Sequence, residues 1–436
     1  MLTPAMPPVI VFVGAGSVVF TRELLFDILA MPELADARLR LYDIDAARLD
    51  TARLMAARVA EQLGAHPEIT THTDLDSAVD GADFVINAVA VGGHAATLTD
   101  FEVPARFGLR QTIGDTLGVG GIFRALRTFP VLDQIATAMG KGCPDAWLLN
   151  YTNPMSMNLS YLAAKHPALN ALGLCHSVYW TVNDMNDLLG LPLAGTHYEA
   201  AGGNHQAWLL TWEHEGKDVY PLLDARIEAD PELRRRVRVD MYRRIGRYPT
   251  ETSEHSSEYL PWYLHSQSEI ERCRIPVSAY VGISAGNLDE YHRTRDELLA
   301  GAELVPPDAT EYAPQVIHAM TTGQPRTVHA TVANHDLLPQ LQRGLGVEVP
   351  TVIDGSGAHP KAMGEVLPLA GAALNRNFLN VVGLVTAGAV EENPAYIRQA
   401  VMVDPNTAAS ITLPVMDELV PAMITAHGDL MPAWLR

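Results

Sequence analysis

The sequence predicts an α/β fold, in which a Rossmann-like, doubly wound parallel sheet is followed by an α+β C-terminal domain. In the first 190 residues, short apolar runs alternate with longer segments of helical period, which is typical of successive βαβ units. The runs lie at 9–13, 38–42, 83–89, 146–150 and 170–174. After Leu191 this alternation ends, and strand-like segments, a charged helical stretch and long helical patterns follow. We expect domains over residues 1–190 and 191–436, with a ligand cleft between them.

The first unit is a strand, a glycine turn and a helix. The run at 9–13 leads into Gly14, Ala15, Gly16 and Ser17, after which the sequence has a helical period. Glycine lets the backbone approach a pyrophosphate, and the helix directs its free N–H groups and positive dipole end toward it. A valine replaces the third glycine of the usual G-x-G-x-x-G motif, so a plain strand-to-helix turn is the alternative.

An acidic residue follows the second predicted strand. Asp43 ends the run at 38–42 and lies 27 residues after Gly16. A carboxylate there can accept hydrogen bonds from ribose hydroxyls and would repel a 2′-phosphate. The order of strand, turn, helix and acidic residue predicts that Gly14, Gly16, Ser17 and Asp43 bind NAD in preference to NADP.

Three asparagines, Asn87, Asn150 and Asn153, stand at the carboxyl ends of predicted parallel strands. Those ends face the ligand crevice of a doubly wound sheet. Asn87 is therefore a candidate cofactor contact, and Asn150 and Asn153 are candidates for binding a nicotinamide ribose or a sugar hydroxyl. The alternative is that Asn150 and Asn153 cap the helix that follows Pro154.

Charge and cysteine content restrict the partners. Acidic residues outnumber basic ones by 51 to 31, for a net charge of −20, so nucleic acids and anionic membranes would be repelled. Three widely spaced cysteines suit a reducing compartment better than a disulfide framework. The N-terminal segment has no basic leader region, and no apolar stretch is long enough to span a membrane. We expect a cytoplasmic protein with a small-molecule partner.

Cys175 and His205 are candidate metal ligands. Cys175 directly follows the run at 170–174, and His205 lies in the segment GGNHQAW. A thiolate and an imidazole suit a borderline divalent cation, and two protein ligands leave positions open to substrate, as a Lewis-acid catalyst requires. Their spacing fits no zinc-finger pattern, so an inert cysteine at a strand end is the alternative.

Several motifs, in order along the chain, resemble glycoside hydrolase family 4. They are GAGS at 14–17, GDTLGVGG at 114–121, NYTNPM at 150–155, CHSV at 175–178, GGNHQAW at 202–208, SEYLPWY at 257–263, ANHDLLP at 333–339 and VEVPTVIDGSGAHP at 347–360. The resemblance extends from residue 9 to beyond residue 360. It implies an NAD- and metal-dependent glycosidase, an exception to the usual two-carboxylate mechanism, with an architecture like that of lactate and malate dehydrogenases.

The resemblance also implies a mechanism. In this family NAD⁺ transiently oxidises the C3 hydroxyl of the sugar, and a divalent metal, commonly Mn²⁺, polarises the resulting ketone. A base then removes the acidified C2 proton, the C1 leaving group departs, water adds to the alkene, and hydride returns to C3. The chemistry is consistent, because a carbanion beside a polarised ketone is stabilised as an enolate.

Carried over residue by residue, the resemblance makes Cys175 and His205 the metal ligands and Tyr259 the base. A tyrosine has an ordinary pKa of ~10, so it needs a nearby cation to act as a base. Without the resemblance, Tyr259 would be interpreted as an aromatic residue that packs with Trp262 and Tyr263.

The acid that protonates the leaving group stays open. In phosphosugar relatives an aspartate thought to serve this role follows the metal-binding cysteine, and here that position is His176. His176, Asp115 in the GDT segment and water are the candidates. Asp115 is equally suited to capping a helix or turn.

The CHSV variant points to the substrate. Within the family it accompanies α-galactosidases, whereas CDMP and CN[VI]P variants accompany phosphorylated substrates. The resemblance therefore favours a non-phosphorylated hexopyranoside, foremost an α-galactoside, with α-glucosides and uronic-acid glycosides as alternatives. Arg293, with Arg295 beside it, is the candidate for binding an acidic group, and a solvated helix face is its alternative role.

Two other classes of protein stay in consideration. A lactate- or malate-type dehydrogenase would share the N-terminal architecture and produce NADH, although the missing His-Asp pair and the presence of Cys175 and His205 count against it. A catalytically silent sugar or nucleotide sensor would keep the glycine turn and need no metal ligands. We expect a homodimer or homotetramer.

Overall fold

The computed structural model describes residues 7–307 and 311–436. The N-terminal segment discussed above begins in residues 1–6, which lie outside the described residues. Within them, thirteen strands join one mixed sheet. The strands are β1 (Val9–Val13), β2 (Arg38–Tyr42), β3 (Glu68–His72), β4 (Phe84–Asn87), β5 (Trp147–Asn150), β6 (Asn170–Leu174), β7 (Thr196–Gly203), β8 (Gln206–His214), β9 (Lys217–Asp218), β10 (Tyr248–Pro249), β11 (Arg326–Ala333), β12 (Gly346–Asp354) and β13 (Gly357–Pro360).

Helices cover both faces of the sheet and continue to the C terminus. They are α1 (Val18–Leu29), α2 (Ala46–Leu63), α3 (Leu75–Val79), α4 (Gly93–Arg106), α5 (Gly118–Gly142), α6 (Met155–Lys165), α7 (Ser177–Leu189), α8 (Tyr220–Ala229), α9 (Val237–Ile245), α10 (Ser253–Glu258), α11 (Gln267–Cys273), α12 (Ala279–Leu299), α13 (Tyr312–Thr322), α14 (Leu369–Val390), α15 (Pro394–Val403), α16 (Pro405–Ser410) and α17 (Leu413–His427), with short 3₁₀ turns at Pro231–Arg235 and Gly428–Leu430. No helix among the described residues has both the length and the apolar character that crossing a bilayer requires.

The N-terminal half is a doubly wound parallel sheet, as predicted. Its strands pair in the order β3-β2-β1-β4-β5-β6, and every pairing is parallel. This is the strand order of dinucleotide-binding folds. The five apolar runs correspond to β1, β2, β4, β5 and β6. The remaining strand, β3, is a partly exposed edge strand with the sequence EITTH, so it carries no apolar run.

The C-terminal half extends the same sheet with antiparallel strands. β11 pairs with β6, and β12, β7, β8 and β10 follow in that order. The predicted charged helical stretch at 231–247 corresponds to a 3₁₀ turn and α9, and the helical patterns after residue 360 correspond to α14 through α17. The predicted α+β character is therefore confirmed, with its strands placed in the sheet that the first half begins.

Helix α14 supports the β7–β8 hairpin. The indole Nε1 of Trp208 donates to Asn375 Oδ1 at 3.0 Å, and Asn375 Nδ2 donates to the Gln206 carbonyl at 2.8 Å. A β-carbon at Gly203 would lie 2.5 Å from the Phe378 ring. Because α14 packs directly against the hairpin backbone, the hairpin tip is held in a fixed position.

Candidate active site

A cavity of about 690 Å³ opens at the carboxyl edge of the parallel strands. Gly14, Gly16, Ser17 and Asp43, all predicted cofactor contacts, line it. A β-carbon at Gly14 would lie 3.1 Å from the Val89 nitrogen, and Gly14 has a φ of 82°. The glycine turn is therefore held close to the loop after β4, which leaves its outer side to the cavity.

The side chain of Asp43 is hydrogen-bonded to the backbone of the glycine turn. Its carboxylate accepts hydrogen bonds from Gly16 N at 2.8 Å and from Asp45 N at 2.9 Å. A β-carbon at Gly16 would lie 2.7 Å from Asp43 Oδ2 and 2.5 Å from Arg48 Cβ. The Arg48 guanidinium lies over the ring of Tyr291, 4.2 Å from its centroid. Asp43 therefore shapes the turn in addition to facing the cavity.

Asn87 and Asn150 bond to each other across β4 and β5. Asn87 Nδ2 donates to Asn150 Oδ1 at 2.8 Å, and Asn150 Nδ2 donates to the Thr152 carbonyl at 2.9 Å. Asn150 therefore does not cap α6, which was the alternative role predicted for it from the sequence. Asn87 Oδ1 is buried without a hydrogen-bond partner among the described residues, so it is an acceptor with no assigned donor.

Cys175 and His205 meet although 30 residues separate them. Cys175 follows β6, His205 lies at the tip of the two-residue β7–β8 turn with a φ of 64°, and Sγ lies 3.1 Å from Nε2. Glu251 Oε2 lies 3.8 Å from the same nitrogen. The three side chains offer one ligand atom each within 4.8 Å of one another. Thiol, imidazole and carboxylate together form a donor set for a divalent cation.

A second cluster of polar side chains shares His205 with the candidate metal ligands. Its ring packs edge to face against the ring of His255, with centroids 4.5 Å apart. His255 Nε2 faces Asp115 Oδ1 at 3.5 Å, and Asn153 Nδ2 donates to Asp115 Oδ2 at 2.9 Å. Asn153 therefore contacts Asp115 and does not cap a helix with its side chain. Asp115, His205 and His255 are all buried and also lie within 4.8 Å of one another.

Burial and neighbouring charges give Asp115, His255 and His205 different protonation states. Burial raises the pKa of Asp115, but the hydrogen bond and charge of His255 outweigh it and lower that pKa to about 2. Burial lowers the pKa of His255, yet Asp115 and Glu251 together raise it to about 9. Burial lowers the pKa of His205 to about 4. Asp115 and His255 therefore form an ion pair, whereas His205 stays neutral, the form that binds metals.

Tyr259 is buried beside the Asp115 segment. Its hydroxyl donates to Thr116 Oγ1 at 2.7 Å, and its ring packs edge-on against Phe378, with centroids 5.2 Å apart. Trp262, a packing partner in the alternative interpretation, is 46% exposed and contacts Tyr263, with ring centroids 6.5 Å apart. Burial, followed by the charges of Asp115 and nearby glutamates, raises the pKa of Tyr259 well above its ordinary value. The protein alone therefore keeps Tyr259 as the neutral phenol.

His176 occupies the N-cap position of α7, next to Cys175. Its Nδ1 lies 2.9 Å from Glu311 Oε1. Burial lowers the pKa of His176, but the Glu311 carboxylate outweighs burial and raises it. The pair therefore favours the protonated form of the imidazole beside the candidate metal ligands.

Arg293 lies apart from this cluster. Its side chain is 64% exposed on α12 and pairs with Glu290 and Glu297 on the same helix. The structure therefore places it on a solvated helix face, the alternative role given by the sequence, and it is not among the side chains brought together here.

Five residues of the site escaped the sequence analysis: Glu251, His255, Thr116, Glu258 and Glu311. Glu258 lies in SEYLPWY, and His255 lies two residues before it. Thr116 lies in GDTLGVGG, so a closer examination of both motifs would have found these three residues. Glu251 gives no such signal. Its carboxylate reaches the site because its backbone adopts a φ of 68° and its amide donates to Thr181 Oγ1 at 2.9 Å.

Family models match both halves of the chain. Residues 9–191 match "Family 4 glycosyl hydrolase" and residues 200–407 match "Family 4 glycosyl hydrolase C-terminal domain". The chain is 36% identical to an α-galactosidase of Bacillus subtilis, covering 98% of this chain and 99% of that one. It is 32% identical to an α-galactosidase of Rhizobium meliloti, covering 98% and 89% respectively.

Solved structures show the same architecture. Bacillus subtilis lplD superposes with a TM-score of 0.87 at 22% identity, over 96% of this chain and 99% of the other. A 6-phospho-α-glucosidase from gut microorganisms, in complex with NAD and Mn²⁺, gives a TM-score of 0.83 at 18% identity, over 98% and 99%. Lactate dehydrogenase of Cryptosporidium parvum gives 0.52 at 14% identity, over 88% and 99%. The predicted dehydrogenase-like architecture is confirmed.

The family models and the full-length relatives identify a glycoside hydrolase, and the structure shows that it is built on a dinucleotide-binding type of sheet. The chain belongs to glycosyl hydrolase family 4, and the predicted resemblance is confirmed.

Proposed function

We propose that this protein hydrolyses the α-glycosidic bond of a non-phosphorylated hexopyranoside, foremost an α-galactoside, with NAD⁺ and Mn²⁺ as cofactors. One observation carries the proposal. Cys175, His205 and Glu251 converge at the carboxyl edge of the sheet whose glycine turn lines a cavity of about 690 Å³. The α-galactosidases related over nearly the whole chain support this choice of sugar.

The residues present fit both cofactors. A β-carbon at Gly16 would collide with Arg48 and Asp43, and one at Gly14 would crowd Val89, so the turn requires glycine. Helix α1, which follows the turn, has no side-chain cap, so the N–H groups of its first turn are open to a pyrophosphate. Cys175, His205 and Glu251 would hold the cation, because their donor atoms already lie within 4.8 Å of one another. When bound, NAD⁺ and the cation supply reversible oxidation at C3 and electrophilic polarisation of the sugar.

Tyr259 would take the C2 proton at its phenol oxygen. Thr116 Oγ1, 2.7 Å away, would reverse its hydrogen bond and donate to the phenolate. The phenol must first lose its own proton to solvent. This needs a lower pKa of Tyr259, and positive charge brought near the ring lowers that pKa. The neutral, buried phenol of the free protein is then the resting state.

His176 fits the role of leaving-group acid better than Asp115. Asp115, with a pKa of about 2, has no proton to give near neutral pH, and it would accept hydrogen bonds from a sugar hydroxyl beside Asn153. Glu311 raises the pKa of His176, which favours the protonated form that a leaving-group acid requires. Asn150 and Asn87 would complete the polar wall of the site.

The charges around His176 favour a neutral substrate. Glu311 lies 2.9 Å from its ring, and the Glu311 amide donates to Asp27 Oδ2 at 2.7 Å. Burial, and after it the charges of Glu311 and Asp27, raise the pKa of nearby Glu23, which indicates a negative potential at this position. That potential would repel a phosphate or uronate.

In this proposal residues 1–190 bind NAD, and residues 191–436 complete the metal site and form the oligomer contacts. The enzyme acts in the cytoplasm as a homodimer or homotetramer.

Assays with nitrophenyl glycosides test the proposal. The protein would be incubated with NAD⁺, Mn²⁺ and a thiol reductant, and we expect release of nitrophenol from the α-galactoside that stops when the metal is chelated. Faster turnover of the α-glucoside or the α-galacturonide would show that the substrate is that glycoside and not an α-galactoside. Net NADH formation would favour a dehydrogenase, and the absence of metal-dependent turnover with every glycoside would favour a sensor.

A further inference from the structure

Two catalytic segments far apart in sequence are bonded to each other through one buried carboxylate. Glu258 ends α10 and is only 3% exposed. Its Oε1 accepts hydrogen bonds from Ile113 N at 2.6 Å and Gly114 N at 3.0 Å, and its Oε2 lies 2.9 Å from Gly114 N. Both backbone amides are buried, so the carboxylate satisfies donors that would otherwise be unpaired.

Each end of this contact adjoins a residue of the proposed mechanism. Gly114 directly precedes Asp115, and Glu258 directly precedes Tyr259. A second bond joins the same segments, from the Tyr259 hydroxyl to Thr116 Oγ1 at 2.7 Å. The separation between Asp115 and Tyr259 therefore depends on the Glu258 contact.

The segment before Asp115 has little room to adjust. Gly114 adopts a φ of 56°, and a β-carbon there would lie 3.1 Å from the Phe101 ring. A third contact runs from Thr112 Oγ1 to the carbonyl of Glu254 at 2.8 Å. This contact uses the Glu254 backbone, whereas the Glu258 contact uses a side chain that substitution can change alone.

We propose that Glu258 is a positioning residue, which holds the Asp115 segment against Tyr259 at the distance that proton removal from the sugar requires. The proposal rests on the proposed function, because Tyr259 acts as a base only there. Glu258 touches neither substrate nor cofactor in this role. Misplacing reacting groups by about 1 Å costs on the order of 100-fold in rate, so the contact controls turnover more than binding.

Glu258→Gln is the direct test, and Glu254→Gln on the same helix is its matched control. Glutamine keeps one acceptor oxygen but turns an NH₂ group toward Gly114 N–H. We expect kcat to fall by about 10- to 100-fold, with KM and the dissociation constants for NAD⁺ and Mn²⁺ nearly unchanged. Amide hydrogen exchange at Ile113 and Gly114 should accelerate. The control should leave all of these values unchanged.

Glu258→Asp separates position from charge and also serves if Glu258→Gln does not fold. It keeps a buried carboxylate but is one methylene shorter, so we expect it to lose kcat as well. Full activity of Glu258→Asp, or of a folded Glu258→Gln, would overturn the proposal. So would weaker NAD⁺ or Mn²⁺ binding that accounts for the whole loss.

The wild-type protein separates this failure from failure of the proposed function. Hydrolysis in D₂O should place deuterium at C2 of the released sugar, because the proposed route breaks that bond. No deuterium at C2, with later washout excluded, would refute the proposed function and Glu258's role with it. Deuterium at C2 together with an unaffected Glu258→Gln would refute the positioning role alone.

Discussion

Glu348→Gln should make the metal-free protein more stable at alkaline pH. Glu348 is fully buried in β12, and its Oε1 accepts a hydrogen bond from Asn204 Nδ2 at 3.1 Å. Burial raises its pKa from 4.5 to about 8. Because the folded-state pKa is the higher one, the folded protein binds the proton more tightly than the unfolded chain. Its contribution to stability is complete below pH 4.5 and is lost as the pH rises through 8.

The size of the effect follows from that pKa difference. One pKa unit corresponds to about 1.4 kcal/mol, so the protonated carboxyl contributes roughly 4–5 kcal/mol that disappears by about pH 9. Glutamine keeps the acceptor oxygen for Asn204 and does not ionise. We therefore expect the variant to match the wild type near pH 5 and to exceed it by about 4 kcal/mol near pH 9.

Urea unfolding between pH 5 and 9, in the presence of EDTA, measures this difference. Glu365→Gln, at an exposed position, is the control and should leave the pH dependence unchanged. If the free energies of unfolding of wild type and Glu348→Gln differ by a constant across the pH range, then Glu348 does not titrate in this window and the reasoning from burial is wrong.

Four further predictions concern the cofactors and the base. Cys175→Ser and His205→Ala should each abolish Mn²⁺ binding and turnover in calorimetry and nitrophenol assays, with NAD⁺ affinity nearly intact; turnover in metal-free buffer would contradict the assignment. Gly16→Ala should weaken NAD⁺ binding by about 10-fold or more, because its β-carbon would lie 2.5 Å from Arg48 Cβ; unchanged affinity in a fluorescence titration would exclude a tight cradle. Tyr259→Phe should lower kcat by about 100-fold or more with little change in KM; retained activity would remove the base assignment. Mn²⁺ binding near pH 7 should release about one proton from the Cys175 thiol, measured by calorimetry in buffers of different ionisation enthalpy; a heat independent of buffer would show that the thiol does not ionise.

The parallel half of the sheet could be predicted because its central strands β1 and β4 are buried on both faces and therefore appear as apolar runs. β2 gives a weaker signal, since its buried leucines alternate with partly exposed residues. β3 lacks that signal, since it is an edge strand with partly exposed polar side chains. The joining of the two halves could not be predicted either. It depends on antiparallel pairing of β6 with β11, which sets Leu174 opposite Ala330, and a sequence pattern does not specify partners at such separation.

The residues of the candidate site also fall into those that the sequence predicts and those that only the tertiary structure reveals. Gly14, Gly16 and Cys175 follow strands, so position along a predicted strand was enough to assign them to the carboxyl edge. Glu251 reaches the site only through an unusual φ of 68° and a bond to Thr181, both of which are products of tertiary structure. Arg293 lies on an exposed helix face and pairs with Glu290 on the same helix, an orientation that its sequence surroundings alone do not specify.

The charges of the site explain why the proposed function requires a cation. Burial and the charge of Glu251 raise the pKa of the Cys175 thiol well above its ordinary value, and burial and nearby carboxylates do the same for Tyr259. Each group is protonated in the free protein, although the proposed function needs both as anions. A divalent cation beside Cys175 would lower both pKa values, with the larger effect on the thiol that it contacts. Binding of the metal would then favour loss of the thiol proton, which gives a thiolate ligand. It would also favour the phenolate, the form that can take the C2 proton, only when the site is loaded.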